Sequence, residues 1–447
     1  MHWPTPARRR AALHAGVRLY LPILATFATV APLAGAHHLG DGAVVLGVVI
    51  GLLSGRAVAR GGRKHALTTL LRVPFITAAV AGLAAFEGHH RWLLDIAFVA
   101  VVTAATFART YGPVVAGVVR TFATPLVALF IAPGPVTGHR AHDAWWSVAI
   151  ALIAVVYVVL LAIVWPTPAQ DHPAPHAPMA VAARLALQHA LTLTAAFVVS
   201  QSFFPDHWSW MVITAYVVTA GARSRGDVVL KAIQRLGGAF VGTAVATGIG
   251  ALIGGHRTTA VVVIFVMIGI GLVLRELSYV WWALMVTALL AVLYTLLGQP
   301  ATLGRLGERL LEIFIGGVLA VLPACVVRPI RTGSVVRRRT GASLRAMREL
   351  VEKADDPLVR PIAASRLVEE LTVLGQAAAP LMWLPQTRTR TEAQWAKRMA
   401  SGLPPARSLA RATGPTDDAV AGSVARLRAL LREVGREYRA TGVAGGQ

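Results

Sequence analysis

The sequence predicts an all-α polytopic membrane protein, built as two parallel-related six-helix repeats of about twelve transmembrane helices with a helical cytoplasmic tail. Three observations point there. Hydrophobic residues make up 55% of the 447-residue chain and charged residues only 14%, where a water-soluble chain carries about 25% charged, and the mean hydropathy is +0.61. Apolar runs near the roughly 20 residues that cross a bilayer recur through the first three quarters. Between them, basic residues gather in short turns, which is how membrane topology is written.

The first run follows MHWPTPARRR. It looks like a secretory signal, but it stays apolar to about Leu33 with no persuasive cleavage site, so it reads as a retained first helix. The spans are 17–35, 43–59, 66–86, 92–108, 112–131 and 145–165, then 185–203, 208–220, 232–253, 258–274, 280–297 and 308–327. The second, fourth and eighth are short, so ten spans are also compatible. Backbone groups cannot stay unpaired in hydrocarbon, so only helices or a closed barrel can cross it. Period-two alternation is absent, which excludes a barrel.

The chain divides into a first membrane repeat (1–165), a Pro-rich cytoplasmic linker (166–183), a second membrane repeat (184–330) and a soluble helical domain (331–447). The linker PTPAQDHPAPHAPMA holds five prolines among polar residues and alanines. The repeats show in near-constant offsets. Arg109 lies 166 positions before Arg275, and Arg72 lies 163 before Arg235. Six spans per unit bring both copies in from the same side. In the tail, 343–353, 363–377 and 424–440 interleave charge with Leu and Val at helical spacing, and Pro361, Pro404, Pro405 and Pro415 separate them.

Counting Lys and Arg near span ends places both termini in the cytoplasm. Arg223, Arg225, Lys231 and Arg235 then form a cytoplasmic turn, while Arg91, Arg140, Arg257, Arg305 and Arg309 lie outside. The net charge of +22 does not mark a nucleic-acid protein, because it is spread through turns rather than along one soluble face. Cys325 is the single cysteine, and the fourteen histidines lack ligand spacing, so no disulfide, metal site or cofactor is expected. No Walker sequence and no catalytic constellation of Ser, His and Asp is present, so neither an ATPase nor another enzyme is expected.

Gly47, Gly51 and Gly55 on the second span, and Gly238, Gly242 and Gly250 on the ninth, recur four apart or in multiples of four. Such small faces let helices approach closely in lipid. Ionisable groups inside apolar spans face a cavity or a partner. Arg120, midway along the fifth span, offers a fork suited to a carboxylate, or pairs with Glu312, Glu308 or Asp95 to fix helix positions. Glu312, Glu308 and Asp95 are the candidates for proton coupling. Gln188, His189, Thr192 and Thr194 make the start of the seventh span polar, a candidate substrate path. The many span-end tryptophans read as an interfacial belt, with Trp281 and Trp282 also placed to stack on a ring near the cytoplasmic mouth.

HWSWMVITAYVVTAGARSRGDVVLKAIQRLGGAFVGTAVA (207–246) resembles the membrane module of the fusaric-acid-resistance-like family, which includes aromatic acid exporters. Pro205, Trp208, Trp210, Arg225, Arg235, Gly238 and Gly242 carry the resemblance. The first half departs from it, with Val73, Pro74 and Phe75 after Arg72 and a longer turn, GRAVARGGRKH. The resemblance implies an efflux protein of the cytoplasmic membrane for organic, chiefly aromatic, carboxylic acids, powered by the proton gradient. It leaves a homo-oligomer and a periplasmic adaptor open as partners beside the lipid bilayer and the anionic substrate. An anion channel, or a membrane scaffold acting through its tail, are the alternatives.

Overall fold

The computed structural model describes residues 6–85, 92–131, 141–166, 178–205, 208–253, 256–296, 303–383, 390–412 and 418–443. Within them the regular elements are helices. In the membrane portion these are α1 (Pro6–Ala36), α2 (Asp41–Ala85), α3 (Trp92–Phe107), α4 (Pro113–Thr121), α5 (Ala123–Ile131), α6 (Ala141–Val164), α7 (Met179–Phe203), α8 (Ser209–Thr219), α9 (Arg225–Ile253), α10 (Arg257–Leu277), α11 (Tyr279–Leu296) and α12 (Leu303–Val326). The tail holds α13 (Thr332–Glu352), α14 (Arg360–Trp383), α15 (Arg390–Ala400), α16 (Leu403–Arg411) and α17 (Asp418–Val443). Among the described residues, nine helical stretches have the length and hydropathy to cross a bilayer. Three shorter apolar stretches, Val115–Ala128, Ser209–Thr219 and Tyr279–Leu293, lie among them. The chain is a multi-pass membrane protein.

Element bounds repeat along the chain. Trp92 opens α3 and Arg257 opens α10, 165 positions on, while Pro113 opens α4 and Tyr279 opens α11, 166 positions on. One element differs. The turn expected between 59 and 66 is absent, and α2 runs unbroken through it, whereas the second half breaks between α8 and α9. GRAVARGGRKH contains no proline, and its three glycines cost a helix only about 3 kcal/mol together. At 45 residues α2 is roughly 68 Å long, over twice the hydrocarbon thickness of a bilayer. The fifth span differs too: a 3-10 turn at Ala108–Tyr111 precedes α4, and Phe122 separates α4 from α5. The seventh span starts at Met179, inside the expected linker, because Pro178 can stand just before a helix but not within it. Of that linker, 167–177 lies outside the described residues.

The described residues form two compact units, one of 1–220 with 231–323, the other of 221–230 with 324–447. In the first, small residues set the helix spacing. A Cβ at Gly47 would stand 3.0 Å from Ile150 on α6 and 3.2 Å from Thr26 on α1. One at Gly55 would meet Leu19 at 3.2 Å. Gly238 and Gly242 press α9 on α11, where a Cβ would lie 2.9 Å from the Leu284 nitrogen and 2.6 Å from the Leu284 oxygen, respectively. Gly250 is on α9 too, at a position whose packing is outside the description. Of the four basic residues expected in the turn, Arg223 is in it and Arg225 opens α9. Lys231 and Arg235 are helical instead. Lys231 Nζ donates to the Ala220 carbonyl at 3.0 Å, and Arg235, 4% exposed, donates to Thr287 Oγ1 at 2.6 Å. A helix that begins at Arg225 carries position 235 nearly three turns inward.

In the second unit, α13–α17 enclose their own core of Val336, Met347, Leu350, Leu367, Leu374, Trp395, Met399, Leu427 and Val434. Pro361, Pro404 and Pro405 lie in the first turns of α14 and α16, where a missing N–H costs nothing; Pro415 is outside the described residues. The segment 221–230 is held here: Arg225 N–H donates to the Ile330 carbonyl at 3.1 Å and Gly226 N–H to Thr332 Oγ1 at 3.2 Å. At the far edge Arg398 donates to Glu437 at 2.5 Å, and Trp395 Nε1 to the same carboxylate at 3.2 Å. The Arg398 hydrogen bond holds the Glu437 carboxyl below the usual carboxylate range.

Two outcomes follow from this packing. Gly242→Ala is expected to lower the melting midpoint of the detergent-solubilised protein, at a cost of about 1–3 kcal/mol for overpacking. Gly248→Ala, where a Cβ meets nothing within 4 Å, is expected to leave it level or raise it. Because the Glu437 carboxyl is held low, its contribution is full above the unfolded value near about 4.3 and is lost as pH falls through the folded one. Hydrogen exchange in α15 and α17 of the whole protein is therefore expected to accelerate below about pH 4, and less so, relative to its own neutral-pH rate, in Glu437→Gln.

Candidate functional site

One group of enclosed polar residues in the second membrane half lies on α7, α8 and α12, apart from the Arg235–Thr287 pair of α9 and α11. Arg309, Glu312 and Gly316 follow one another at helical spacing on α12, so they share one face. That face meets α8. A Cβ at Gly316 would stand 2.7 Å from the Met211 carbonyl and 3.2 Å from Thr214 Cβ, and the Arg309 guanidinium lies over the Trp210 ring, 5.3 Å from its centre. Between these two contacts Glu312 is 1% exposed. Neither of its oxygens has a hydrogen-bond partner among the described residues, and the charges that act on it are Arg309 and then Glu308. Glu308, one turn earlier, is exposed.

On α7, Gln188, His189 and Thr192 are buried together. His189 Nδ1 is 2.7 Å from the Leu185 carbonyl, and the ring also interacts with the backbone of Thr219 at the end of α8. The Thr192 and Thr214 hydroxyls are enclosed without a hydrogen bond among the described residues. Phe197 and Trp208, with ring centres 5.8 Å apart, fix the other end of the α7–α8 pair. Thr194 faces elsewhere, into a groove of about 750 Å³ between α3 and α7 that Asp95, Val99, Phe107, Phe197 and Gln201 also line. There Gln201 Nε2 donates to Asp95 Oδ2 at 2.5 Å.

Arg120 stands apart from all of these. It is exposed in the last turn of α4, and among the described residues no side chain bonds or pairs with it. The expected pairing with Glu312, Glu308 or Asp95 is not formed. Its charge does reach Tyr216 on α8. Sequence reasoning missed the Arg309–Trp210 contact and Thr214. The available signal was the i, i+3, i+7 spacing of Arg309, Glu312 and Gly316, a polar stripe ending in a small residue.

Taken together, a polar interior enclosed by apolar helices defines a multi-pass membrane protein with charge held inside it. Residues 192–322 match the family described as fusaric acid resistance protein-like. The match runs from Thr192 to Leu322 and so includes Trp210, Thr214, Arg309, Glu312 and Gly316. No curated protein matches the chain, and no solved structure does. With the apolar helices, the match points to a role in membrane transport.

An enclosed carboxylate with no donor costs several kcal/mol unless a proton or a nearby cation neutralises it. Removing the cation alone is therefore expected to be worse than removing both charges. Arg309→Leu should cost about 3–5 kcal/mol, and Arg309→Leu with Glu312→Gln should recover most of that loss, read as melting midpoints in detergent.

Proposed function

We propose that the protein is a secondary-active exporter of organic carboxylic acids, aromatic ones foremost, across the cytoplasmic membrane. The proton gradient drives it, and both termini are cytoplasmic. The observation that supports this reading most is Glu312, an enclosed carboxyl beside a single guanidinium inside the family-matched segment. Such a group can take up a proton in one state of the cycle and release it in another, because its charged and neutral forms fit different surroundings. Arg309, pinned over Trp210, supplies the charge against which that exchange is balanced. Gln188, His189 and Thr192 extend a polar surface along α7 on which an acid can travel. Arg120, exposed on α4, is a further contact on the substrate's route rather than its enclosed binding group. The orientation rests on the excess of Lys and Arg at one set of span ends.

Proteoliposomes loaded with hydroxybenzoate test this. The parent is expected to release the acid when a pH gradient is imposed. Glu312→Gln should reduce that rate by about tenfold or more, and Glu308→Gln should leave it within about twofold. Flux that ignores the pH gradient and carries net charge would make the protein an anion channel. A folded, reconstituted protein with no flux would leave the scaffold reading.

A further inference from the structure

A different enclosed cation, Arg235, lies on α9 where that helix is pressed against α11. Gly238 and Gly242 follow it at i+3 and i+7 and bring the backbone of α9 onto Ala283, Leu284 and Thr287. The guanidinium runs along this contact. Its Nη1 donates to Thr287 Oγ1 at 2.6 Å and to the Ala283 carbonyl at 3.4 Å, and the Thr287 hydroxyl donates to the same carbonyl at 2.9 Å. Thr287 stands midway along α11, so the charge bonded to it sits at mid-depth rather than at a span end.

The protein does not balance that charge. Arg235 is 4% exposed, and among the described residues no carboxylate pairs with it; the titratable group that acts on it is the Tyr279 phenol. Its hydrogen-bond partners, a hydroxyl and a carbonyl, are neutral. A guanidinium cannot shed its proton in a protein, so burial here encloses a full positive charge that neutral partners only partly offset. Arg309 differs, because Glu312 is beside it. Tyr279 adds to the imbalance, since its hydroxyl is enclosed without a hydrogen bond among the described residues. Two donors of one neighbourhood thus call for an acceptor.

The chemistry of the remaining edge says which acceptor fits. With Nη1 engaged, Nε and Nη2 make no hydrogen bond with the described residues, and neither is fully enclosed. Their N–H groups form a planar fork that matches the two oxygens of a carboxylate. A halide has one centre and does not meet both N–H groups in line. Depth fits as well, for transport proteins hold their cargo near the midplane, where rearranging helices expose it to either side.

We infer that Arg235 and Tyr279 form a carboxylate-binding site at mid-depth beside the α9–α11 contact, with Thr287 orienting the guanidinium. That the carboxylate belongs to an exported acid rests on the exporter reading; the site itself rests on an enclosed cation whose bonded partners are neutral.

Melting midpoints and equilibrium binding of radiolabelled 4-hydroxybenzoate, both on the whole protein in detergent, test it. The parent should bind the acid and melt higher with it than without it. Arg235→Met, similar in length but uncharged, should weaken binding by about tenfold or more. The same variant should melt, without ligand, at the parent's midpoint or above it, because an unbalanced charge has gone. A guanidinium that only ties α9 to α11 predicts the reverse, a lowered midpoint with parent-like binding. Arg235→Lys, which keeps the charge but loses the fork, should bind with intermediate affinity, and it decides alone if Arg235→Met does not fold. Tyr279→Phe should weaken binding by about threefold or more, and Arg257→Gln should bind as the parent does. Absent binding by the parent, parent-like binding by folded Arg235→Met and Arg235→Lys, or a midpoint raised by chloride but not by benzoate would each overturn the site, the last in favour of a halide. Arg235-dependent binding without flux in proteoliposomes would keep the site and remove transport. Flux at the parent's rate in folded Arg235→Met and Arg235→Lys would keep transport and remove the site.

Discussion

The approach of α12 to its neighbours through Gly316 and Gly317 is the contact on which the rest of the second membrane half depends. In lipid no hydrophobic force sorts helix from helix, so close backbone approach and van der Waals contact must do so. A Cβ at Gly316 would lie 2.7 Å from the Met211 carbonyl, and one at Gly317 would lie 3.7 Å from Ala232 Cβ. This closeness carries the face of α12 one turn earlier onto α8, and so seals Glu312 and stacks Arg309 on Trp210. Were α12 to stand off by one side-chain layer, lipid or water would reach the carboxyl. Its protonation would then no longer be tied to the arrangement of the helices.

The two halves of the membrane unit use related elements differently. The second half breaks its chain between α8 and α9, and residues 221–230 at that break pack with the tail helices rather than with the membrane unit. The first half runs straight through the matching place as α2. The first half also fragments its fifth span into α4 and α5, where the second keeps α11 whole. The family match covers only the second, and the enclosed acid and guanidinium lie there. The first half contributes Arg56 to a shared surface with α10 and α11. Charge is thus distributed asymmetrically between the two halves of the membrane unit.

Much of this was legible in the sequence, for physical reasons that differ by residue. Helical spans announce themselves because lipid demands long apolar runs, and Gly238 and Gly242 declare a packing face because nothing else in a lipid-embedded helix rewards glycine at that spacing. Glu312 stood out as a charge within such a run. Less legible was anything set by tertiary contact. Arg309 counted as an external basic residue because burial over Trp210 depends on where α8 lies. Arg235 belonged by position to a basic turn, yet the helix starts early enough to carry it inward to Thr287. Arg120 sat in an apolar run that the chain does not keep as one helix. The continuity of α2 escaped notice because charge and glycine mark a turn statistically, while only proline would forbid the helix.

A disulfide tests the placement of α12 most directly. With Cys325 replaced by serine, cysteines are introduced at Ala232 and Gly317, whose Cβ positions are 3.7 Å apart, within the roughly 3.5–4.5 Å that a disulfide spans. After mild oxidation in membranes, both thiols of the double variant should be lost to maleimide without any dimer forming, while each single variant keeps its thiol. Two thiols still open to maleimide after oxidation would mean that α12 does not lie on α9, and the enclosure of Glu312 would fail with it.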